Sequence, residues 1–384
     1  MTPKTFMLVA GETSGDLLAS ELVGALRAKL PGTLFFGAGG SKMSAAGVEL
    51  AFDMTQLAVT GLTEVVKNYF KFRQRFNQLV ALARERKPDA IIGVDYGGFN
   101  LRLGHAIKSF VRQSPSTDNS WDPKIVQFVS PQVWASRPGR AKQLEADYDL
   151  LLSIFPFEKD WYAKHAPKLR VEFVGHPMLD RDLKPAAPGA GTEIITAPPE
   201  ILLLPGSRRG ELKKHLPVML AAIRQIQQSY PATKVRMVLP NNALVELAKY
   251  LGAAMDIQIG NLPSALARAD VAIASTGTVT MECAFFGVPT VTLYKTSWIT
   301  YEIGKRLVTV NSLTMPNLMA GETVYPEFIQ NDATSENLAA AALSLLKDAS
   351  RRATIKAQLV GIIASLGNAG ATRRAADAVL SLFP

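Results

Sequence analysis

A chain of 384 residues exceeds the size at which one hydrophobic core usually stops growing, so two domains are expected; 48% hydrophobic against 20% charged residues excludes a mainly disordered chain. The 42 basic and 33 acidic residues leave a net charge of +9, which calls for an anionic partner: nucleic acid, a phosphorylated substrate or an anionic membrane surface. The lone Cys283 excludes an internal disulfide and fits a reducing cytoplasm, no run reaches spanning length, and Phe6 to Ala10 flows into Gly11-Glu12 without a cleavage-type region, so no secretory leader is expected.

Short apolar runs predict strands at Phe6–Ala10, Leu34–Gly37, Ala90–Val94, Ile125–Val129, Leu150–Phe155 and Val171–Val174. Several are too continuously apolar for a one-sided sheet, which implies buried parallel strands. Helical spacing at Leu17–Lys29 and Tyr69–Arg86 completes an α/β alternation, so residues 1–183 read as a doubly wound, Rossmann-like domain. Residues 184–200, crowded with Pro, Gly and Ala, read as a linker. The alternation restarts with strands at Ile201–Leu204, Val235–Leu239, Ile257–Ile259, Asp270–Ala274 and Thr290–Tyr294 and a helix at Lys213–Tyr230, giving a second Rossmann-like domain over 201–350. The tail is helical in pattern, and residues 351–384 are expected to pack back on the first domain.

The richest stretch is Ala274 to Pro289, A-S-T-G-T-V-T-M-E-C-A-F-F-G-V-P: a strand, a turn at Thr276-Gly277-Thr278, then a helix stopped by Gly287. Backbone N–H groups at such a turn can hold a diphosphate, and Glu282, one turn further in, can accept hydrogen bonds from ribose hydroxyls. The plainer alternative is an ordinary strand–turn–helix with Glu282 favourable near the positive helix end. The run L-L-L-P-G-S-R-R-G-E at 202–211 delivers Arg208 to the carboxyl edge of the second sheet as a diphosphate clamp, with Ser207 as hydroxyl partner and Arg209 as a solvated neighbour.

In the first domain, Gly11-Glu12-Thr13-Ser14-Gly15-Asp16 follows the first strand, and its small residues allow close approach of a ligand, with Glu12 and Ser14 as contact candidates. Gly37-Ala38-Gly39-Gly40 imitates a dinucleotide turn but has no ribose-binding acid in place, so a dehydrogenase is a minor option. Asp95, just beyond a buried strand, is either a catalytic acid or a turn cap; His176 reads as structural. Asp180-Arg181-Asp182 has the spacing of a metal-binding acidic pair, yet it abuts the linker. With positive charge already available to a diphosphate, no metal and no cofactor are expected. The stretch Leu62 to Phe76 interleaves Leu62, Val65, Val66, Tyr69, Phe70, Phe72 and Phe76 with Lys67, Lys71, Arg73 and Arg75, a mixture suited to docking on an anionic membrane; the alternative is an amphipathic core helix.

Together the motifs V-A-G-E-T-S-G-D at 9–16, G-V-D-Y-G-G-F-N at 93–100, V-S-P-Q-V-W-A at 129–135, F-P-F-E at 155–158, F-V-G-H-P at 173–177, L-P-G-S-R at 204–208, A-S-T-G-T-V-T-M-E-C at 274–283 and P-N-L-M-A-G at 316–321 resemble the lipid A disaccharide synthases, nearly end to end. The resemblance implies a GT-B glycosyltransferase, two Rossmann-like domains facing a central cleft, acting in Gram-negative lipid A biosynthesis. It implies inverting transfer of 2,3-diacylglucosamine from UDP to the 6-hydroxyl of 2,3-diacylglucosamine 1-phosphate. By the same resemblance Asp95 matches the candidate base, Arg208 the critical arginine, Glu282 the ribose acid and Asn317 a donor-side polar residue. The enzyme is expected in the cytoplasm, peripheral on the inner membrane. Two departures are visible: Gly98 stands where some relatives carry a second acid, and Ser136 where relatives often carry tryptophan. The rivals are another UDP-sugar enzyme of the same fold, such as a 2-epimerase or a lipid-linked transferase, and a non-catalytic RNA-binding or nucleotide-sugar-binding protein. The chain lacks the aromatic-basic interleaving that single-strand binding wants, so no nucleic acid partner is expected.

Overall fold

The computed structural model describes residues 3–55, 69–113, 121–181, 195 and 198–384. The chain divides into two compact units, Met1–Asp182 with Leu366–Pro384, and Leu183–Ser365.

The first unit is built on a seven-stranded parallel sheet of β1 (Thr5–Ala10), β2 (Leu34–Gly39), β3 (Glu49–Asp53), β4 (Ala90–Val94), β5 (Lys124–Phe128), β6 (Leu150–Ser153) and β7 (Val171–Phe173), in the order β3-β2-β1-β4-β5-β6-β7. Its central strands are buried on both faces, which explains their unbroken apolar sequences. The second unit repeats the plan with β8 (Glu200–Leu204), β9 (Lys234–Leu239), β10 (Asp256–Ile259), β11 (Val271–Ser275), β12 (Thr290–Tyr294) and β13 (Glu327–Ile329), in the order β10-β9-β8-β11-β12-β13. In each sheet the winding reverses direction once, between β1 and β4 and between β8 and β11. Loops leaving the carboxyl ends of such neighbours diverge and leave a crevice, the usual ligand position of an open α/β sheet.

Two edge strands, β3 and β13, were not evident in the sequence, and β2 runs two residues further than its apolar pattern suggested. That extension corrects the reading of Gly37-Ala38-Gly39-Gly40 as a dinucleotide turn. Gly37 lies inside β2 at φ 147°, and a Cβ there would collide with the Leu8 carbonyl of β1, so the glycine serves strand-to-strand approach. The turn after β2 is held instead by Asp16, whose carboxylate accepts from the Gly40, Lys42 and Met43 N–H groups at 2.7, 2.9 and 3.1 Å.

The C-terminal helices part company. Ala349–Ser365 stays with the second unit, against the helices Val279–Phe285 and Met315–Ala320, so packing against the first unit is confined to the segment after it. Ala371–Leu380 packs on the first helix, Thr13–Lys29, and Phe383 stacks on Phe6 at 5.7 Å. Asp180 caps that last helix, accepting from the Gly370, Ala371 and Thr372 N–H groups at 2.6, 2.9 and 2.8 Å, which gives its carboxylate a structural task in place of the metal-type spacing. Arg374 reaches the Val174 carbonyl from the same helix.

Helix Tyr69–Arg86 turns Phe72, Phe76, Leu79, Val80 and Ala83 onto the core, a spacing of one helical face. Phe72 and Phe76 are therefore packing residues, which corrects their place among membrane-inserting side chains. Phe70 points the other way and is 80% exposed, flanked by exposed Lys71 and Arg73. Leu62, Val65 and Val66 lie outside the described residues, as does the Tyr69 side chain. No helix among the described residues is long and apolar enough to cross a membrane.

Candidate active site

At the switch point of the first unit lie Gly11-Glu12 with the first turn of helix Thr13–Lys29, after β1, and the loop Asp95-Tyr96, after β4. The two are in contact: Tyr96 lies against Gly11 so closely that a Cβ on residue 11 would enter its ring, and a Cβ on Gly15 would stand 3.5 Å from the Asp95 Cβ. The small residues of that first turn thus make room for the Asp95 loop. Glu12 is half-buried and Ser14 exposed at the same edge.

Asp95 and Tyr96 both sit at positive φ, 52° and 48°, a left-handed conformation that costs a non-glycine residue about 1–3 kcal/mol. The Asp95 N–H donates to the Phe128 carbonyl at 2.8 Å. Its own carbonyl accepts from the side-chain amides of Asn100, at 2.8 Å, and Gln127, at 2.9 Å. Gly98 is exposed with open space around its Cα.

The segment V-S-P-Q-V-W-A after β5, which runs into the short helix Val133–Ser136, is tied to the helix Pro156–His165. Trp134 Nε1 donates to Glu158 Oε1 at 3.0 Å, and Glu158 Oε2 accepts from the Phe155 N–H at the start of that helix. Glu158 is 1% exposed. Burial pushes its carboxyl up to about 7, against the lowering effect of bonds from Trp134, Ser130 and the Phe155 and Ile154 backbone. His176 rests against the Phe155 ring and accepts from the Met178 N–H; burial, then the Arg181 charge, lower its pKa and keep it neutral, as a structural histidine should be.

In the second unit the switch-point loops are Pro205–Arg208, after β8, and Thr276–Thr278, after β11. Glu211, on the first turn of the helix Arg209–Ser229, organises the former. Its Oε2 accepts from the Ser207 N–H at 3.1 Å and its Oε1 pairs with Arg208 Nη1 at 3.0 Å, across a Gly206 at φ 117°. Buried His215, one turn on, has Nδ1 2.9 Å from the Pro205 carbonyl, while Nε2 accepts from the Lys295 N–H at 3.0 Å. The bond to a carbonyl fixes the proton on Nδ1, so one neutral imidazole links the loop after β8 to the chain after β12. Burial lowers its pKa, ahead of the raising effects of Pro205 and Glu211.

Ser207, Gly277 and Thr278 are exposed, and Thr276, Arg208 and Glu282 half-buried, at the same carboxyl edge. The helix behind the Gly277 turn has only seven residues, Val279–Phe285. Asn317 differs from its sequence reading. It is 2% exposed, its Oδ1 accepts from the Val324 and Tyr325 N–H groups, and its Nδ2 donates to the Tyr325 carbonyl and Glu327 Oε1. That amide is occupied in shaping the 317–325 loop, which makes it a structural residue. Sequence reasoning missed Glu211 and His215, as well as Asn100, Gln127 and Glu158.

Residues 6–381 match the family model of lipid-A-disaccharide synthetase. The chain belongs to that family. It is a glycosyltransferase of lipid A biosynthesis, and its two parallel-sheet α/β units are of the GT-B class. It is 38% identical to the lipid-A-disaccharide synthase of Trichlorobacter lovleyi, over 99% of this chain and 98% of that one, and 34% identical to that of Myxococcus xanthus, over 100% and 98%. Its fold is shared with UDP-N-acetylglucosamine 2-epimerases. One is the protein from Neisseria meningitidis solved with UDP-GlcNAc (TM-score 0.63, 12% identity, 98% of this chain and 100% of that one). Another is the putative enzyme from Listeria monocytogenes (TM-score 0.60, 17% identity, 100% and 97%). At these identities the epimerases share architecture alone, and the synthase family fixes the chemistry.

Proposed function

We propose that the protein transfers 2,3-diacylglucosamine from its UDP donor to the 6-hydroxyl of 2,3-diacylglucosamine 1-phosphate with inversion. In this reading the Asp95 carboxylate takes the proton of the 6-hydroxyl as that oxygen attacks the anomeric carbon, and UDP leaves from the opposite face. Arg208 meets the charge growing on the departing diphosphate, with Glu282 on the ribose hydroxyls. The observation that carries the reading is the matching placement of the two charged residues. Each follows a strand beside the reversal of its own sheet, Asp95 after β4 and Arg208 after β8, and each loop is held by side-chain bonds that a surface turn would not need.

Calorimetry with UDP tests the donor half. Removing the charge-assisted contact in Arg208→Ala should cost about 1.5–3 kcal/mol of binding, roughly a 10- to 150-fold rise in Kd. Glu282→Ala should abolish the preference for UDP over its 2′,3′-dideoxy analogue. Parental affinity in both variants means that the nucleotide binds elsewhere.

Diacylated substrates also give a reason for contact with an anionic inner-membrane surface. We place that contact at the N-terminal end of Tyr69–Arg86, where Phe70 stands exposed between the cations of its outer face. Phe70→Ser should loosen attachment to anionic vesicles without changing UDP affinity; unchanged attachment counts against this face.

A further inference from the structure

We propose that Asn100 and Gln127 are positioning residues for Asp95, holding its backbone in the left-handed conformation from which the carboxylate acts. The inference rests on Asp95 being the base and adds the residues through which the fold imposes that conformation.

The Asp95 carbonyl accepts two side-chain amides at once, Asn100 Nδ2 at 2.8 Å and Gln127 Nε2 at 2.9 Å. Gln127 Nε2 also lies 3.2 Å from the Val129 carbonyl and 3.4 Å from that of Phe128, and Asn100 Nδ2 lies 3.3 Å from that of Val9. An amide nitrogen surrounded by carbonyl oxygens can have only one orientation, so both side chains are fixed with N–H toward the Asp95 loop. Val129 is itself at φ 69°, an outlier for a β-branched residue. Gln127 therefore braces two strained turns, one after β4 and one after β5, from a single position between them.

The neighbouring sequence is arranged to allow this. Gly93 pairs in register with Val9 on one side and Gln127 on the other. A Cβ there would stand 2.7 Å from Gln127 Oε1 and 2.9 Å from the Asn100 Cβ, so glycine opens the space in which the two amides converge. The arrangement also carries a penalty. Asn100 Oδ1 and Gln127 Oε1 are buried with no hydrogen-bond partner among the described residues. An apolar side chain would shed the orphaned oxygens but leave the carbonyls of Asp95, Val129 and Val9 short of a donor, so what the two amides supply here is the hold on these strained turns.

Gln127→Met keeps the length while removing both the donor and the orphaned oxygen. Expected is a fall in kcat of roughly 10- to 100-fold, the cost of misplacing a reacting group by a fraction of an ångström, with KM for both substrates and UDP affinity close to the parent and a thermal midpoint that is lowered but still well above the assay temperature. In an Asp95→Asn background the same change should alter the residual rate less than about threefold, because a residue acting only through Asp95 has nothing left to position. Parental kcat in Gln127→Met, or an equal fall in both backgrounds, overturns the proposal. Near-parental turnover in Asp95→Asn alone would instead strike at the base assignment. If Gln127→Met does not fold, Asn100→Ala takes its place in the same cycle, with the same outcomes on each side.

Discussion

Glu158 gives a prediction whose size follows from its surroundings. The carboxyl is buried, and its pKa stands near 7 in the folded chain against an ordinary value of 4.5. A group with a raised folded pKa keeps its proton in the native state over a range in which the unfolded chain has released it. Its contribution is therefore most favourable at or below the ordinary value and is lost as pH climbs toward 7. Each tenfold difference in proton affinity is worth about 1.4 kcal/mol, so the loss across this window comes to about 3 kcal/mol. Glu158→Gln cannot ionise, and its amide oxygen can still accept from Trp134 Nε1. Denaturant unfolding of parent and variant at a series of pH values between about 4.5 and 8 should show the variant gaining on the parent by about 3 kcal/mol toward the alkaline end. Taking the difference between the two proteins cancels other titrating groups, such as His176. Parallel curves, with the difference constant to within about 1 kcal/mol, would refute the claim that burial governs this carboxyl.

Other predictions test single supports. Asp180→Ala removes the acceptor of three N–H groups at a helix start and should cost about 1–2 kcal/mol, seen as faster amide exchange over residues 371–380 with the second unit unchanged. Gly37→Ala drives a methyl into the Leu8 carbonyl at a φ that L-residues avoid; a loss of at least about 3 kcal/mol, seen as insoluble expression or a collapsed thermal midpoint, is expected. Glu211→Gln leaves the loop after β8 with weaker bonds to Arg208 and Ser207 and should raise the Kd for UDP roughly three- to tenfold with the fold intact, read by calorimetry.

The alternation of strands and helices was legible because central parallel strands are buried on both faces and must be apolar throughout. The edge strands were not. β3 is exposed or half-buried at every position and β13 is three residues long, so neither leaves an unbroken apolar run. Gly37 misled because a glycine that permits close strand approach reads the same as one that permits a turn; the difference is the Leu8 carbonyl, which is local only in space. Asn317 misled for a related reason, since the groups that occupy its amide lie up to ten residues away. Gln127 did leave a signal: one polar residue in the run I-V-Q-F, inside a strand buried on both faces, must find partners for its amide. That those partners include the Asp95 carbonyl required the register of β4 against β5.

The central claim, acceptor-dependent transfer with Asp95 as base, is tested most directly by UDP release from UDP-2,3-diacylglucosamine, measured with and without 2,3-diacylglucosamine 1-phosphate, in the parent and in Asp95→Asn. The account predicts release that requires the acceptor and matches disaccharide formed, and that falls by roughly 10²–10⁴ in Asp95→Asn with UDP affinity nearly unchanged. Release of UDP without acceptor, or parental turnover in Asp95→Asn, would contradict it.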